Sequence, residues 1–190
     1  MSRQAGGNRV RIIGGDCRGR LLQFPDAPGL RPTTDRVRET LFNWLQFEIQ
    51  GARCLDLFAG SGVLGFEAAS RSAGHVVLVE QSRRVFAMLE KNRLQLKLDD
   101  RVELVCMDAL QWLARNREAF DIIFLDPPFG QSMLQSAIDA LADSPAVRPG
   151  ARIYIEQESH DERAVLPEGW RMLREKVAGQ VRYGLAGVGV

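Results

Sequence analysis

The sequence predicts an α/β fold, in which a mostly parallel sheet of seven strands is covered by helices on both faces. From residue 53 onward, short runs rich in valine, isoleucine and leucine alternate with longer segments of helical periodicity. Continuous apolar runs are typical of parallel strands, because both faces of such strands are buried. Two further strand-like runs near the carboxyl end have a link too short for a crossover helix, so they predict an antiparallel hairpin at the sheet edge.

The composition predicts a soluble protein with one main domain. Of its 190 residues, 45% are hydrophobic and 26% are charged. No apolar run reaches the roughly 20 residues that span a bilayer, and the amino terminus lacks the apolar core of a secretory signal. The three cysteines and two histidines lack the spacing of a metal site. We therefore expect a cytoplasmic monomer with no metal and no membrane contact.

Residues 1–32 predict a basic extension, placed before a main domain at residues 33–190. Residues 9–13 alternate, residues 14–16 form a turn and residues 18–24 are again extended, which predicts a β-hairpin followed by a proline-rich loop. Residues 1–38 hold eight arginines, three aspartates and no lysine, a net charge of +5 in a chain of net charge +1. Arginine suits forked contacts with phosphate, although a solvated face would look the same. The predicted RNA contacts are Arg9, Arg11, Arg18, Arg20, Arg31, Arg36 and Arg38.

The main domain begins with a helix that Thr33 or Thr34 caps and that runs to about Phe47. Strands and helices then alternate, and the residues beyond Leu185 are small or apolar and form an expected mobile tail. The predicted strands cover residues 53–57, 75–80, 102–105, 121–125, 151–156, 170–177 and 180–185, and the predicted helices cover residues 62–70, 82–96, 109–115 and 133–142.

A glycine-rich loop follows the first strand of the main domain. Gly60, Gly62 and Gly65 match the spacing of a dinucleotide-binding loop, so a nicotinamide- or flavin-dependent oxidoreductase is one interpretation. However, Asp56 ends the strand beside this loop, and its carboxylate would repel a pyrophosphate. S-adenosylmethionine carries an ammonium and no phosphate, so we expect it to be the cofactor.

Two more carboxylates follow the next two strands. Glu80 lies 24 residues after Asp56, where it can accept from both ribose hydroxyls of a nucleoside. Asp108 can accept from an adenine amino group beside the Ala109 N–H, or it can cap the next helix. The predicted cofactor contacts are Asp56, Phe58, Ala59, Gly60, Ser61, Gly62, Glu80, Gln81, Asp108 and Ala109.

The predicted reaction centre is Asp126-Pro127-Pro128-Phe129, which follows the fourth strand of the main domain. The two prolines remove backbone donors and stiffen the turn. Asp126 and the Pro127 carbonyl can then accept the two N–H groups of an exocyclic amino group on a base, so that the nitrogen lone pair faces a methyl donor. Phe129 offers a face on which a splayed-out base stacks. A rigid turn without chemistry is the alternative.

The order of these motifs resembles that of the class I amino-methyltransferases, and the chain resembles the RsmD family nearly end to end. The family likeness also rests on residues 11–15, 18–20 and 31–39. It implies a Rossmann-like methyltransferase fold and S-adenosylmethionine-dependent methylation of a guanine N2 in 16S rRNA. It also implies a substrate that is an assembled or late-assembling 30S subunit, with the basic segments facing RNA.

Other functions remain open from the residues alone. A DNA adenine or cytosine amino-methyltransferase, or an enzyme that methylates a protein glutamine amide, would use a similar motif, although 190 residues leave little room for a DNA-recognition segment. A non-catalytic RNA-binding assembly factor is another possibility, but the complete set of Asp56, Glu80 and Asp126 argues against a decayed site.

Overall fold

The computed structural model describes residues 8–27, 30, 32–128 and 133–189. Its helices are α1 (Asp35–Trp44), α2 (Val63–Ser70), α3 (Arg83–Leu96), α4 (Ala109–Arg115) and α5 (Met133–Ala142). Its strands are β1 (Asn8–Arg11), β2 (Leu21–Phe24), β3 (Arg53–Asp56), β4 (His75–Val79), β5 (Val102–Val105), β6 (Phe120–Leu125), β7 (Val147–Glu158), β8 (Trp170–Ala178) and β9 (Val181–Val188). None of the described helices is long and apolar enough to cross a membrane.

The main sheet has seven strands in the order β5-β4-β3-β6-β7-β9-β8. Strands β3 to β7 are parallel, whereas β9 is antiparallel to both of its neighbours. The predicted α/β fold and its antiparallel edge hairpin are therefore confirmed. The strand order changes direction between β3 and β6, and a crevice opens beyond the carboxyl ends of strands at such a point.

Alternate residues of the central strands belong to two separate cores, one on each face of the sheet. On β4, Val76 and Leu78 pack in one core with residues of α1, α2 and α3. Val77 and Val79 pack in the other core with residues of α4 and α5. The two-residue period of a strand thus places three helices on one face and two on the other.

The carboxyl-terminal strand is longer than predicted. Strand β9 continues to Val188 and pairs with β7 and β8 over most of its length, so the prediction of a mobile tail beyond Leu185 is wrong for these residues. The small side chains permit close strand packing, because a β-carbon on Gly184 would lie 2.7 Å from Met172 Sδ and 2.8 Å from the Arg174 carbonyl oxygen. The last predicted turn of α1 is also absent, since the helix ends at Trp44.

Strands β1 and β2 form the amino-terminal hairpin, which packs on the face of the sheet that carries α2 and α3. Val10 and Leu22 are buried in that core, while Arg9 and Arg11 are exposed. The link between the strands is longer than a tight turn and is fixed by Ser70 at the end of α2. The Ser70 hydroxyl donates to the Gly14 carbonyl at 2.6 Å and accepts from the Cys17 N–H at 2.9 Å. The hairpin is thus fixed to α2.

A fully buried ion pair joins α1 to α2. Arg38 Nη1 lies 3.2 Å from Glu67 Oε2, and both side chains have no exposed surface. Glu67 also accepts from Arg71 Nε at 2.8 Å and from the Ile13 N–H at 2.9 Å, while Arg38 Nε donates to the Thr33 carbonyl at 3.1 Å. The prediction that Arg38 faces RNA is therefore wrong, because its guanidinium is buried inside the protein.

Replacing Arg38 with alanine is expected to lower the free energy of unfolding by about 3–5 kcal/mol, because Glu67 would keep a buried charge without its main counter-ion. The matched control is Arg36→Ala, the same substitution on the exposed face of α1, which should change stability by less than about 0.5 kcal/mol. Urea unfolding followed by circular dichroism measures both. Equal stabilities of the two variants would show that the buried pair contributes nothing.

Candidate active site

A cavity of about 900 Å³ lies at the carboxyl ends of β3, β4 and β6. It brings together most of the residues that the sequence predicts for a cofactor and a reaction centre. Phe129 and Arg31 lie outside the described residues. The predicted residues that line the cavity are Asp56, Phe58, Ala59, Gly60, Ser61, Glu80, Gln81, Asp108, Ala109, Asp126, Pro127 and Pro128.

The glycine loop between β3 and α2 depends on backbone conformations that favour glycine. Gly62 has φ +76°, and a β-carbon there would lie 2.6 Å from Leu89 and 2.7 Å from Phe66. A β-carbon on Gly65 would lie 2.7 Å from Leu78. Gly62 is not part of the cavity lining; it turns the chain into α2 instead. The loop can therefore pass close to a ligand while α2 packs tightly on the sheet.

Asp56 ends β3 beneath the glycine loop and is only 1% exposed. Its Oδ2 accepts from the Gly65 N–H at 3.0 Å. Burial raises the pKa of Asp56 to about 7, the Gly65 N–H opposes this rise and nearby Glu80 adds to it. A cation bound beside Asp56 would favour the ionised carboxylate.

Glu80 ties the glycine loop to the start of α3. Its Oε2 accepts from the Gly60 N–H at 3.0 Å, and its Oε1 accepts from the Ser82 N–H at 2.7 Å. Burial raises the pKa of Glu80, whereas the backbone N–H groups oppose that change. The two bonds fix the carboxylate at the cavity wall and leave each oxygen a further lone pair for a ligand.

Asp108 caps α4, because its Oδ1 accepts from the Gln111 N–H at 3.0 Å. It also lines the cavity together with Ala109. The capping alternative raised by the sequence is thus observed. The contact with an adenine amino group stays a prediction. The cap uses Oδ1 alone, so the second carboxylate oxygen of Asp108 remains available for that contact.

Asp126 follows β6 and lies beside a group of polar side chains to which the sequence analysis gave no part in the site. Thr33 Oγ1 donates to Asp126 Oδ2 at 3.1 Å, and Tyr154 Oη donates to Glu156 Oε2 at 2.6 Å. Leu125 pairs with Ile155 in the parallel sheet, so Asp126, directly after β6, and Glu156, within β7, lie at the same level. Burial raises the pKa of Asp126 well above its usual value, Glu156 adds to this rise, and the Thr33 hydroxyl opposes it.

Two sequence signals could have identified Glu156. It lies near the end of a predicted strand, where the other site carboxylates also lie, and it is two residues after Tyr154. Residues two apart on a strand share a face. The contact with Thr33 had no such signal, because it joins segments far apart in the chain.

Six of the described residues that line the cavity are acidic: Asp56, Glu80, Asp108, Asp126, Glu156 and Glu158. Burial raises the pKa of four of them, Asp56, Glu80, Asp126 and Glu156. Such a lining disfavours phosphate and favours ligands that carry a positive charge or N–H donors. It therefore argues against the dinucleotide interpretation of the glycine loop.

Comparisons with known proteins place the chain in a family. A family model described as conserved hypothetical protein 95 matches residues 10–186. Ribosomal RNA small subunit methyltransferase D of Escherichia coli K12 is 48% identical over 95% of this chain and 91% of its own length. The chain belongs to the RsmD family.

Solved structures support the assignment of this chain to the RsmD family. One solved structure is that of yhhF from Escherichia coli, whose description assigns it to the methyltransferases. It has a TM-score of 0.89 and is 45% identical, over 95% of this chain and 98% of its own. An RNA methyltransferase of Salinibacter ruber in complex with S-adenosyl-L-homocysteine has a TM-score of 0.63 and 17% identity over 83% and 94% of the two chains. The similarity to the Salinibacter ruber enzyme concerns the fold alone. The two structures together confirm the predicted Rossmann-like class I methyltransferase fold.

The raised pKa of Asp56 makes the stability of this RsmD chain depend on pH. A carboxyl whose pKa is about 7 in the folded protein and ordinary in the unfolded chain binds its proton more tightly when folded. Stability is therefore lost as pH rises from about 4 to about 7, by up to about 4 kcal/mol. Asp56→Asn should remove this loss, because asparagine stays neutral and can still accept from Gly65.

Urea unfolding at several pH values measures the difference between wild type and Asp56→Asn. The variant should gain relative stability as pH rises through this range. Asp143→Asn is the control, since Asp143 is exposed. Parallel stability curves for wild type and Asp56→Asn would show that Asp56 titrates normally.

Proposed function

We propose that this protein transfers a methyl group from S-adenosyl-L-methionine to the exocyclic N2 amino group of a guanine in 16S rRNA. One observation carries the proposal: Asp126 and the Pro127-Pro128 turn lie in the same cavity as Asp56 and Glu80. A site for an amino group thus lies beside a site that suits a cationic nucleoside. The name of the Escherichia coli relative, Ribosomal RNA small subunit methyltransferase D, supports rRNA of the small subunit as the substrate.

The residues at the β3 and β4 ends fit S-adenosyl-L-methionine. Asp56 would face its ammonium, Glu80 its ribose hydroxyls, and Asp108 with the Ala109 N–H its adenine. The backbone of Phe58 to Ser61 would lie along the amino acid part, and Gln81 would lie next to the ribose. The bound cofactor supplies an electrophilic methyl group on a sulfonium.

The residues after β6 would act on the acceptor base. Asp126 and the Pro127 carbonyl accept the two N–H groups of the amino group, which draws the nitrogen out of conjugation and fixes its direction. The carboxylate also stabilises the positive charge that develops on nitrogen. Phe129 would stack on the splayed-out base.

The exposed arginines would hold the RNA next to the cavity. Arg9, Arg11, Arg18 and Arg36 are exposed, and Arg20 is exposed although one of its nitrogens donates to the Gln95 carbonyl at 2.8 Å. Arg31 belongs to the same proposal. Their forked donors match phosphate oxygens along an RNA backbone. The resemblance to the RsmD family implies that this RNA belongs to an assembled or late-assembling 30S subunit, which is part of the proposal.

Purified Asp126→Ala and Asp126→Asn should lose methyl transfer by about a hundredfold or more, because an acceptor that stabilises the transition state is removed or neutralised. Affinity for S-adenosyl-L-methionine, measured by calorimetry, should change little. Asp143→Ala is the control on an exposed aspartate. Wild-type transfer by Asp126→Ala would overturn the proposed role of Asp126.

The substrate is tested by incubating wild type with labelled cofactor and 30S particles, naked 16S rRNA or duplex DNA, followed by mass mapping of nucleosides. We expect N2-methylguanosine in the small-subunit RNA alone. Label in DNA would favour a DNA base methyltransferase. Tight cofactor binding without label in any nucleic acid would disprove the proposed reaction.

The double variant Arg9→Ala/Arg11→Ala should bind rRNA more weakly and with a shallower salt dependence. The slope of log affinity against log salt should fall by about one for each phosphate that the variant no longer neutralises. The charge-matched control is Arg115→Ala/Arg117→Ala, at the end of α4, a helix on the opposite face of the sheet from the hairpin. Equal slopes for the two double variants would mean that the hairpin arginines do not touch the RNA.

A further inference from the structure

Acidic side chains line the cavity on both sides of Asp126. Asp56 and Glu80 lie at the ends of β3 and β4, where the proposed cofactor binds. Glu156 and Glu158 belong to β7, which lies on the other side of β6 in the strand order β4-β3-β6-β7-β9. Both line the cavity, and residues two apart on a strand share a face. The part of the cavity that remains for the acceptor base is therefore acidic as well.

Glu156 lies beside Asp126 and is held by Tyr154. Leu125 and Ile155 pair in adjacent parallel strands, so the backbones of Asp126 and Glu156 lie at the same level, about 4.8 Å apart. The fully buried Tyr154 donates its hydroxyl proton to Glu156 Oε2 at 2.6 Å, and Glu156 is itself only 4% exposed. A buried donor thus holds this carboxylate next to Asp126, and its oxygens keep lone pairs for a ligand.

Two acidic groups side by side in a buried site select ligands by their N–H groups. Burial raises the pKa of both Asp126 and Glu156, and the Glu156 charge raises that of Asp126 further. A ligand that donates one N–H to each carboxylate stabilises both ionised forms, whereas a lone pair that faces either of them is repelled. The pair therefore favours a base whose exocyclic amino group has another N–H as its neighbour.

The bases differ at the ring atom next to the amino group. In guanine, N1 carries a hydrogen beside the 2-amino group. In adenine and cytosine, the ring nitrogen next to the amino group carries a lone pair instead. Enzymes that act on a splayed-out base read such differences through hydrogen bonds to its Watson–Crick edge. An acceptor for the amino group cannot separate the three bases, because each of them has an exocyclic amino group.

We propose that Glu156 accepts the N1–H of guanine, while Asp126 and the Pro127 carbonyl accept the two hydrogens of its 2-amino group. Glu156 then selects guanine over adenine and cytosine. Tyr154 is a positioning residue, because it acts on the base through the Glu156 carboxylate. This inference rests on the proposed function, since it concerns how the same site recognises its base.

The test replaces the guanosine that wild type methylates with 2-aminopurine, in the 16S rRNA of reconstituted 30S particles. 2-Aminopurine keeps the 2-amino group, but its N1 carries a lone pair in place of the hydrogen. Wild type should prefer guanine in kcat/KM by roughly a hundredfold, because the analogue leaves Glu156 without its donor. In Glu156→Gln, the amide nitrogen can donate to N1 of 2-aminopurine, so this preference should fall by about tenfold or more.

Comparing the preference between variants isolates the N1 contact. 2-Aminopurine also lacks the oxygen at position 6, but this loss is the same for every variant. Any effect of Glu156→Gln on Asp126 or on folding is the same for both substrates, so it cancels in the ratio. Glu156→Asp withdraws the carboxylate by one methylene and should also lower the preference. The matched control is Glu168→Gln, on an exposed turn, which should keep the wild-type ratio.

A preference for guanine that is unchanged in both Glu156 variants would overturn the inference, and so would equal transfer to the two bases by wild type. If Glu158→Gln lowers the preference and Glu156→Gln does not, the contact belongs to Glu158 and the proposal is wrong. Absence of guanine methylation by wild type would overturn the proposed function and this inference together. Normal methylation of guanine with unchanged ratios overturns the inference alone.

Discussion

The buried ion pair between Arg38 and Glu67 holds together the parts of the chain that meet at the cavity. Glu67 binds the Arg38 guanidinium, Arg71 and the backbone of Ile13, so α1, α2 and the link of the hairpin share one carboxylate. Arg38 also binds the Thr33 carbonyl, and the Thr33 hydroxyl binds Asp126. The buried pair therefore fixes the position of Thr33, which is a hydrogen-bond partner of Asp126. Because a buried charge without its partner costs several kcal/mol, the arrangement tolerates little movement.

The acidic lining of the cavity is the second constraint, and it selects the ligand. Each carboxylate is stabilised by backbone N–H groups or hydroxyls, as when Gly65 donates to Asp56 and Gly60 to Glu80. These bonds only partly offset burial, since the pKa values of both groups remain raised. The site therefore still favours a ligand that carries positive charge. A cationic cofactor and an amino group that becomes positive during the proposed reaction would both satisfy it, whereas the pyrophosphate of a dinucleotide would not.

The sequence predicted those features that depend on local patterns. Helices α4 and α5 have the predicted bounds, and the strands of the parallel sheet lie where continuous apolar runs occur. Strand β9 was predicted to end too early because Ala186 and Gly187 have low strand propensity, whereas their pairing with the neighbouring strands keeps them extended. Arg38 was assigned to RNA because net charge reveals nothing about burial. The contact between Thr33 and Asp126 could not be predicted, since it joins residues 93 positions apart and depends on how the segment before α1 packs against the end of β6.

Helix α2 connects these two constraints. Its N-cap is Gly62, in the loop that Glu80 fixes, and it ends at Ser70, which holds the link of the amino-terminal hairpin. All eight of its residues are buried, and a helix of this length spans only about 12 Å. The arginines of the hairpin and the glycine loop are therefore held at a nearly fixed separation by one short, rigid element. A nucleotide whose phosphates contact the hairpin would be placed at a set distance from the methyl donor, so the choice among equivalent amino groups can depend on the shape of the RNA. In the proposed reaction, Asp126 would recognise the type of nitrogen, whereas the α2 spacing would determine which nucleotide can reach it.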